Sequence, residues 1–204
     1  MRVVRFGSIL LLALLAVTTL APAAEFELTP FYGYRIGGEL DDVDISADDS
    51  ASYGVTFGVS LNEIHQIEFL WSHQGTEVDL DDFQIQQQEI TLDVDLDHYQ
   101  VGWLLQGGAD DDVKPYFSLH LGILDISPEG IDSESYFSWS LGGGAKIFMN
   151  DTIGFRLAAR WAITLVDTDN AYYCDWYGFC YSGTDADYFN QTEFSAGLIF
   201  RFGN

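Results

Sequence analysis

Apolar and polar residues alternate with a period of two along most of this chain, in eight runs separated by turn-rich segments. The first sets Phe26, Leu28, Pro30, Tyr32, Tyr34 and Ile36 against Glu27, Thr29, Phe31, Gly33 and Arg35. The second opposes Tyr53, Val55, Phe57 and Val59 to Gly54, Thr56 and Gly58, and the third opposes Ile67, Phe69 and Trp71 to Gln66, Glu68 and Ser72. In the fourth, Tyr99, Val101, Trp103 and Leu105 stand against His98, Gln100 and Gly102; in the fifth, Phe117, Leu119, Leu121 and Ile123 against Tyr116, Ser118, His120 and Gly122. The sixth sets Phe137, Trp139 and Leu141 against Ser138, Ser140 and Gly142. The seventh is the most regular, with Ile153, Phe155, Leu157, Ala159, Trp161 and Ile163 facing away from Gly154, Arg156, Ala158, Arg160 and Ala162. The last opposes Phe194, Ala196, Leu198, Phe200 and Phe202 to Glu193, Ser195, Gly197 and Arg201.

Strict alternation marks strands with one apolar and one polar face, and no run fits helical spacing. Eight consecutive strands with no helix between them predict an antiparallel meander. One irregularity stands out. Asp93, Asp95 and Asp97 alternate with Val94 and Leu96, and the apolar phase then slips before Tyr99, which predicts a β-bulge near His98. Short connections fall at 62–65, 107–114 and 149–152, and long ones at 37–51, 75–89, 125–135 and 166–187. Short turns at one end, long loops at the other and an even strand count are the layout of a bacterial outer-membrane barrel, with both termini on the periplasmic side.

Alternation alone does not say which face is outside, because a soluble ligand-binding barrel alternates too, with its apolar face inward. The polar faces decide. They are rich in Gly, Ser, Thr and Ala, which suit the crowded interior of an eight-stranded barrel better than a soluble surface. The apolar faces carry Trp71, Trp103, Trp139 and Trp161, aromatics favoured where a membrane meets water. Arg35, Lys146, Arg156, Arg160 and Arg201 all fall on polar faces, and only Lys114 sits in a turn. An Arg facing lipid at the midplane costs about 2–4 kcal/mol, so these cations are expected inside, paired with Glu27, Glu68 and Glu193. The fold expected is an all-β, eight-stranded, antiparallel transmembrane up-and-down β-barrel.

The start of the chain adds a route to that membrane. Met1–Arg5 is basic, 6–20 is apolar, and Ala21-Pro-Ala23 supplies small residues for cleavage. Residues 1–23 are read as a signal peptide and 24–204 as the barrel domain. The apolar core of that leader is shorter than the ~20 residues of a spanning helix, and no Cys follows it to carry a lipid. Losing Arg2 and Arg5 takes the formal charge from −24 to −26, which repels nucleic acid and anionic substrates. Export also favours a disulfide between Cys174 and Cys180, the two cysteines of the chain.

With the segments PYFSLHLGILDI, YFSWSLGGGAKIFMNDTIGFRLAARW and FSAGLIFRF in view, the chain resembles the small outer-membrane β-barrel family, porin-like and including opacity-type surface proteins. The resemblance covers the whole mature part and is one of pattern. It implies a cell outer-membrane location, and a last strand ending near a C-terminal aromatic, here Phe202.

Candidate chemistry is sparse. Ser72 and His73 are neighbours on a strand and point to opposite faces, so they make no nucleophile–base pair. Ser118 and His120 share an inward face with Glu68 in possible reach, but inward polar residues are also what fills such a barrel. No His-x-Ser-Asn segment of the lipid A deacylase type occurs. Acids crowd the long loops (Glu39, Asp41, Asp42, Asp44, Asp48 and Asp49; then Glu77, Asp79, Asp81 and Asp82), and Asp93, Asp95 and Asp97 share one face. A hard cation such as Ca²⁺ is one candidate ligand for such a face, and a solvated, self-repelling loop is the plainer account. No EF-hand spacing is present. The partners expected are outer-membrane lipid and, at the acidic loops, divalent cations or a surface partner; no nucleic acid, cofactor or resident metal is expected, and the chain is expected to be a monomer.

Two further expectations concern the interior and the seam. Inward glycines at 33, 54, 58, 102, 122, 142, 144, 154 and 197 leave room for a local cavity. If Phe26 lies opposite Phe202, the same register sets Glu27 against Arg201 and Arg35 against Glu193 on the lumen side. Three functions fit such a barrel. The first is a non-enzymatic surface or envelope-stabilising protein with acidic, aromatic loops, the second a narrow channel for small solutes, and the third an enzyme acting on membrane lipids.

Overall fold

Each alternating run forms a strand, and each strand hydrogen-bonds to the next until the last meets the first. The computed structural model describes residues 25–203 except 41–42, 81–90, 108–111, 131, 168–170, 175–179 and 184–185. Eight long strands build the wall: β1 (Phe26–Leu40), β3 (Ser50–Ser60), β4 (His65–Leu80), β5 (Thr91–Gln106), β6 (Val113–Pro128), β7 (Glu134–Phe148), β8 (Ile153–Asp167) and β11 (Ala186–Phe202). All neighbours are antiparallel, and β11 closes on β1. The signal segment expected over 1–23 lies outside the described residues.

Three short strands decorate the end opposite the termini. β2 (Val43–Ala47) slots between the ends of β1 and β4, and β9 (Ala171–Cys174) pairs with β10 (Cys180–Gly183) as a separate ladder. At the other end the β3–β4 and β7–β8 turns are tight and locally encoded. Asn62 Oδ1 accepts from the backbone N–H of Ile64 and His65, both at 2.9 Å, and Asn150 Oδ1 does the same for Thr152 and Ile153 at 2.9 and 2.8 Å. These Asx turns reverse the chain without help from elsewhere in the fold.

The seam has the register that the charge pattern predicts. Phe26 faces Phe202, Glu27 faces Arg201, Tyr34 faces Phe194 and Arg35 faces Glu193. The register holds as far as Ile36 and then shifts before Glu39, at Gly37 and Gly38, whose φ values of 80° and 142° few other residues adopt. The bulge expected near His98 is absent. The β4–β5 and β5–β6 ladders run through His98 without a slip. Leu96 and His98 both point inward and are buried, whereas Asp95 is exposed and Asp97 half-buried on the outward face.

The slip is therefore one of chemistry rather than backbone. Successive rows of outward residues across β4–β8 read Trp71, Tyr99, Ile123, Phe137 and Leu165. Two residues further out the row reads His73, Asp97, Asp125 and Ser135. Inside, the exchange is reversed: Val94, Leu96, Leu124 and Phe189 form an apolar core at the outer end, with Ile126 and Val166 packed against it.

The long connections are accordingly shorter than the alternation suggests, because the strands run on to Leu40, Leu80, Pro128 and Asp167. A strand of 16 residues such as β4 is roughly 50 Å long at about 3.3 Å per residue. Tilted by about 40°, it makes a wall near 40 Å tall, well above an apolar band of about 25 Å. The outer ends of the strands stand in water, and there the ordinary soluble arrangement of apolar inside and polar outside returns.

Candidate functional site

The barrel interior is where the charged residues meet, and parity alone puts them there. Inward positions are odd on β1 and β11 and even on β3–β8, so a cation or carboxylate on those positions between the two ends of the barrel enters a lumen that gives it no bulk water. Burying an unpaired charge is costly enough that each must find partners. They do so in three tiers.

The tier nearest the termini joins Glu27, Lys146 and Arg201. Lys146 Nζ, fully buried, donates to Glu27 Oε2 at 2.5 Å, Gln66 Oε1 at 2.7 Å and Gln106 Oε1 at 3.1 Å, which uses all three of its protons. Gln66 Nε2 returns a bond to Glu27 Oε2 at 3.0 Å. Arg201 bridges Glu25 at 2.9 Å and Glu27 at 3.2 Å and lies over the Phe148 ring at 3.7 Å.

The middle tier centres on Glu68, whose two oxygens are taken by the two terminal nitrogens of Arg156 in the fork geometry that suits guanidinium and carboxylate. His120 Nε2 lies 3.1 Å from Glu68 Oε1, and a carboxylate there requires the proton on Nε2. Arg156 also donates to the Tyr116 hydroxyl at 2.8 Å and to Thr56 Oγ1 at 3.1 Å.

In the third tier one carboxylate serves two cations. Glu193 Oε2 accepts from Arg35 at 2.6 and 3.2 Å, from Arg160 at 3.1 Å and from Ser52 at 3.0 Å. Arg35 completes its shell on Ser72 at 2.8 Å and Gln74 at 3.0 Å, and Arg160 also reaches Ser72 at 3.1 Å. Above it Gln191 donates to Gln74 at 3.1 Å and lies 3.4 Å from His98, and the apolar core of Leu96, Leu124 and Phe189 caps the stack.

Glu27, Arg35, Glu68, Lys146, Arg156, Arg160, Glu193 and Arg201 thus each enter one of these tiers, whereas Lys114, which lies on β6 rather than in a turn, stands over the Phe148 ring outside them. The uncharged glutamines and serines that complete them were not singled out in the sequence, although Gln66, Gln74, Gln100 and Gln106 share parity with Glu68 or His98. The cavity expected at the inward glycines is small, and Gly142 and Gly197 help to line it. A Cβ on Gly58 would fall 2.3 Å from Gln66 Nε2, and one on Gly102 2.3 Å from His120 Cδ2. These two are small because a larger side chain lies down across them, whereas at Gly54, Gly122 and Gly144 a Cβ would meet a neighbouring strand's backbone carbonyl. The enclosed space that remains beside Ser118, His120, Arg156 and Arg160 is about 30 Å³, room for a water or two.

Other candidate chemistry stays apart. Ser118 makes no hydrogen bond to His120 among the described residues, and Glu68 is committed to Arg156 as well as His120. On the outer wall, Asp97 accepts from Trp71 Nε1 at 3.1 Å and sits 3.2 Å from His73. Among the described residues no three Asp, Glu, His or Cys side chains converge to hold a metal ion. Asp41, Asp42, Asp81 and Asp82 lie outside the described residues. Cys174 and Cys180 stand opposite one another in the β9–β10 ladder, while the aromatic tip between them lies outside the described residues.

Comparison with known proteins places this geometry. Residues 9–202 match the family model of the outer membrane protein beta-barrel domain. No curated protein matches the chain in sequence. Solved structures match its fold. Neisserial surface protein A superposes with a TM-score of 0.60 at 12% identity, over 87% of this chain and 97% of that one. OprG from Pseudomonas aeruginosa gives 0.59 at 13%, over 90% and 98%. Ail, the attachment invasion locus protein of Yersinia pestis, in complex with the heparin analogue sucrose octasulfate, gives 0.51 at 14%, over 88% and 99%. At such identities the likeness is one of fold.

Proposed function

We propose, for a chain that belongs to the outer membrane protein β-barrel domain family and resides in the cell outer membrane, a non-enzymatic role: a closed, monomeric barrel that stabilises the envelope and presents an acidic rim to the cell surface. The observation that carries this reading is the interlocked lumen. Opening a path through it means separating Lys146, Arg156 and Arg35 from buried carboxylates, each a step that exposes an unpaired charge to a low-dielectric interior. Catalysis at His120 has no support in the surroundings, because Glu68 is shared with Arg156 and the adjoining space admits water but not a lipid ester.

The rim is the surface left for interaction. Asp48, Asp49, Glu77, Asp93, Asp95, Glu129, Asp132 and Glu134 are exposed there, so the partners it suits are cationic: divalent ions or basic surfaces. Ail holds a polysulfated ligand in its crystal, and an acidic rim repels such a ligand, so that binding is not carried over. A Cys174–Cys180 disulfide would stiffen the loop between β8 and β11; thiol labelling of the unreduced, denatured protein should find no free thiol, and two free thiols would refute it.

Single-channel recording on the refolded protein in planar bilayers tests the closed barrel. The expected result is no conductance steps above baseline for the wild type. Stable open events of a water-filled pore would overturn the reading and favour the narrow channel.

A further inference from the structure

The lipid-facing wall is not evenly covered. Around most of the barrel each outward position carries Leu, Ile, Val or an aromatic, but two adjacent rows on β7, β8, β11 and β1 break the pattern. One reads Gly143, Ala159, Phe194 and Tyr34; the next reads Ala145, Leu157, Ala196 and Tyr32. Where Gly143, Ala145, Ala159 and Ala196 fall together the wall is only a backbone thick on its outer side. The result is a shallow, open apolar depression flanked by Tyr32, Tyr34 and Phe194. A second depression of about 390 Å³ continues it towards Pro30, Phe155 and Leu198, and the two share Tyr32, Leu157 and Ala196. Along β1 the pair runs from Tyr34 to Pro30, roughly 13 Å at about 3.3 Å per residue, the length of a good part of an acyl chain.

We propose that this furrow is a binding groove for one acyl chain of an outer-membrane lipid, held in order against the wall rather than exchanging freely with the surrounding bilayer. The occupant follows from continuity with the lipid interface. The furrow lies inside the apolar belt, one row below Trp161 and reaching down to Phe155 and Leu198, so hydrocarbon is the medium that meets it. A methylene chain lying in the furrow touches the alanine floor and the aromatic sides together, whereas on the convex wall elsewhere it touches one surface. Dispersion contacts add over such pairs, so the chain in the furrow stays longer. A second copy of the barrel is the competing occupant. With no hydrophobic drive between apolar surfaces in lipid, a dimer would rest on close packing over the small residues and needs a matching ridge on the second copy, whereas a flexible methylene chain needs none.

The test uses the full barrel refolded in dimyristoylphosphatidylcholine vesicles, with alanine and leucine methyl groups labelled for solid-state NMR. Cross-peaks from the lipid methylenes to the methyls of Ala159 and Ala196 should build up at least twofold faster than those to the exposed Leu121 methyls on β6, outside the furrow. Ala159→Phe, which fills the floor and points only to lipid, should bring Ala196 down to the rate at Leu121. Equal build-up at all sites in the wild type would overturn the proposal. So would a dimer by single-molecule photobleaching in the same vesicles together with protein–protein contacts at Ala159. If Ala159→Phe fails to insert, the wild-type comparison of Ala196 with Leu121 still decides.

Discussion

The membrane belt and the outer end of this barrel share the same strands yet have opposite chemistry. In the belt Val101 and Leu121 face out and Gln100 and Glu68 face in; a few residues on, Asp95 and Asp97 face out while Leu96 and Leu124 face in. The backbone continues across this boundary without a bulge in β5. What changes is the solvent. Hydrocarbon outside admits apolar side chains and drives polar ones inward, where they must satisfy each other; water outside lets the chain bury its apolar residues in the ordinary way. One continuous strand is thus inside-out below the boundary and right-side-out above it.

The contrast is sharpest for the interior charges, and removing one partner should cost most. Glu68→Ala leaves the buried Arg156 guanidinium and His120 without their carboxylate, and a loss of about 3–5 kcal/mol is expected. Urea unfolding from lipid vesicles measures it, and a loss below about 1 kcal/mol would mean that the lumen is wetter than its tiers imply.

Outward substitutions locate the boundary directly. Val101→Arg in the belt should destabilise by about 2–4 kcal/mol, whereas Asp125→Arg, outward beyond the last apolar row, should cost about 0–1 kcal/mol. Equal costs in the same unfolding assay would remove the boundary from the place where the rows change.

A smaller effect is expected within the third tier. The Arg35–Glu193 pair should show a coupling of about 0.5–3 kcal/mol in a double-mutant cycle, with Glu193→Ala costing more alone than in the background of Arg35→Ala. Because Arg160 also holds Glu193 at 3.1 Å, the carboxylate keeps a partner when Arg35 is removed, so Arg35→Ala should be milder than Glu193→Ala. The reverse order would show that Arg160 does not take up the freed carboxylate.

Most of the architecture was legible in the sequence because alternation is local: a residue's parity decides its face whatever strand lies beside it. The strand count, the inward side of Arg156 or Glu68 and the location in the outer membrane all follow from that parity together with the cost of a charge in lipid. Even the β1–β11 register was legible, since Glu27 with Arg201 and Arg35 with Glu193 can be matched together only one way. What only the tertiary structure decided lies across the lumen and along the strand axis. Lys146 reaches Glu27 from the far side of the barrel, 119 residues away in sequence, and Glu193 is shared between Arg35 and Arg160. Such choices depend on barrel diameter, stagger and side-chain length at once, none of which a period of two carries. The height of the bilayer boundary is of the same kind: at Leu96 and Asp97 the sequence records a change of phase, and only the unbroken ladder through His98 shows that the solvent changed and the backbone did not.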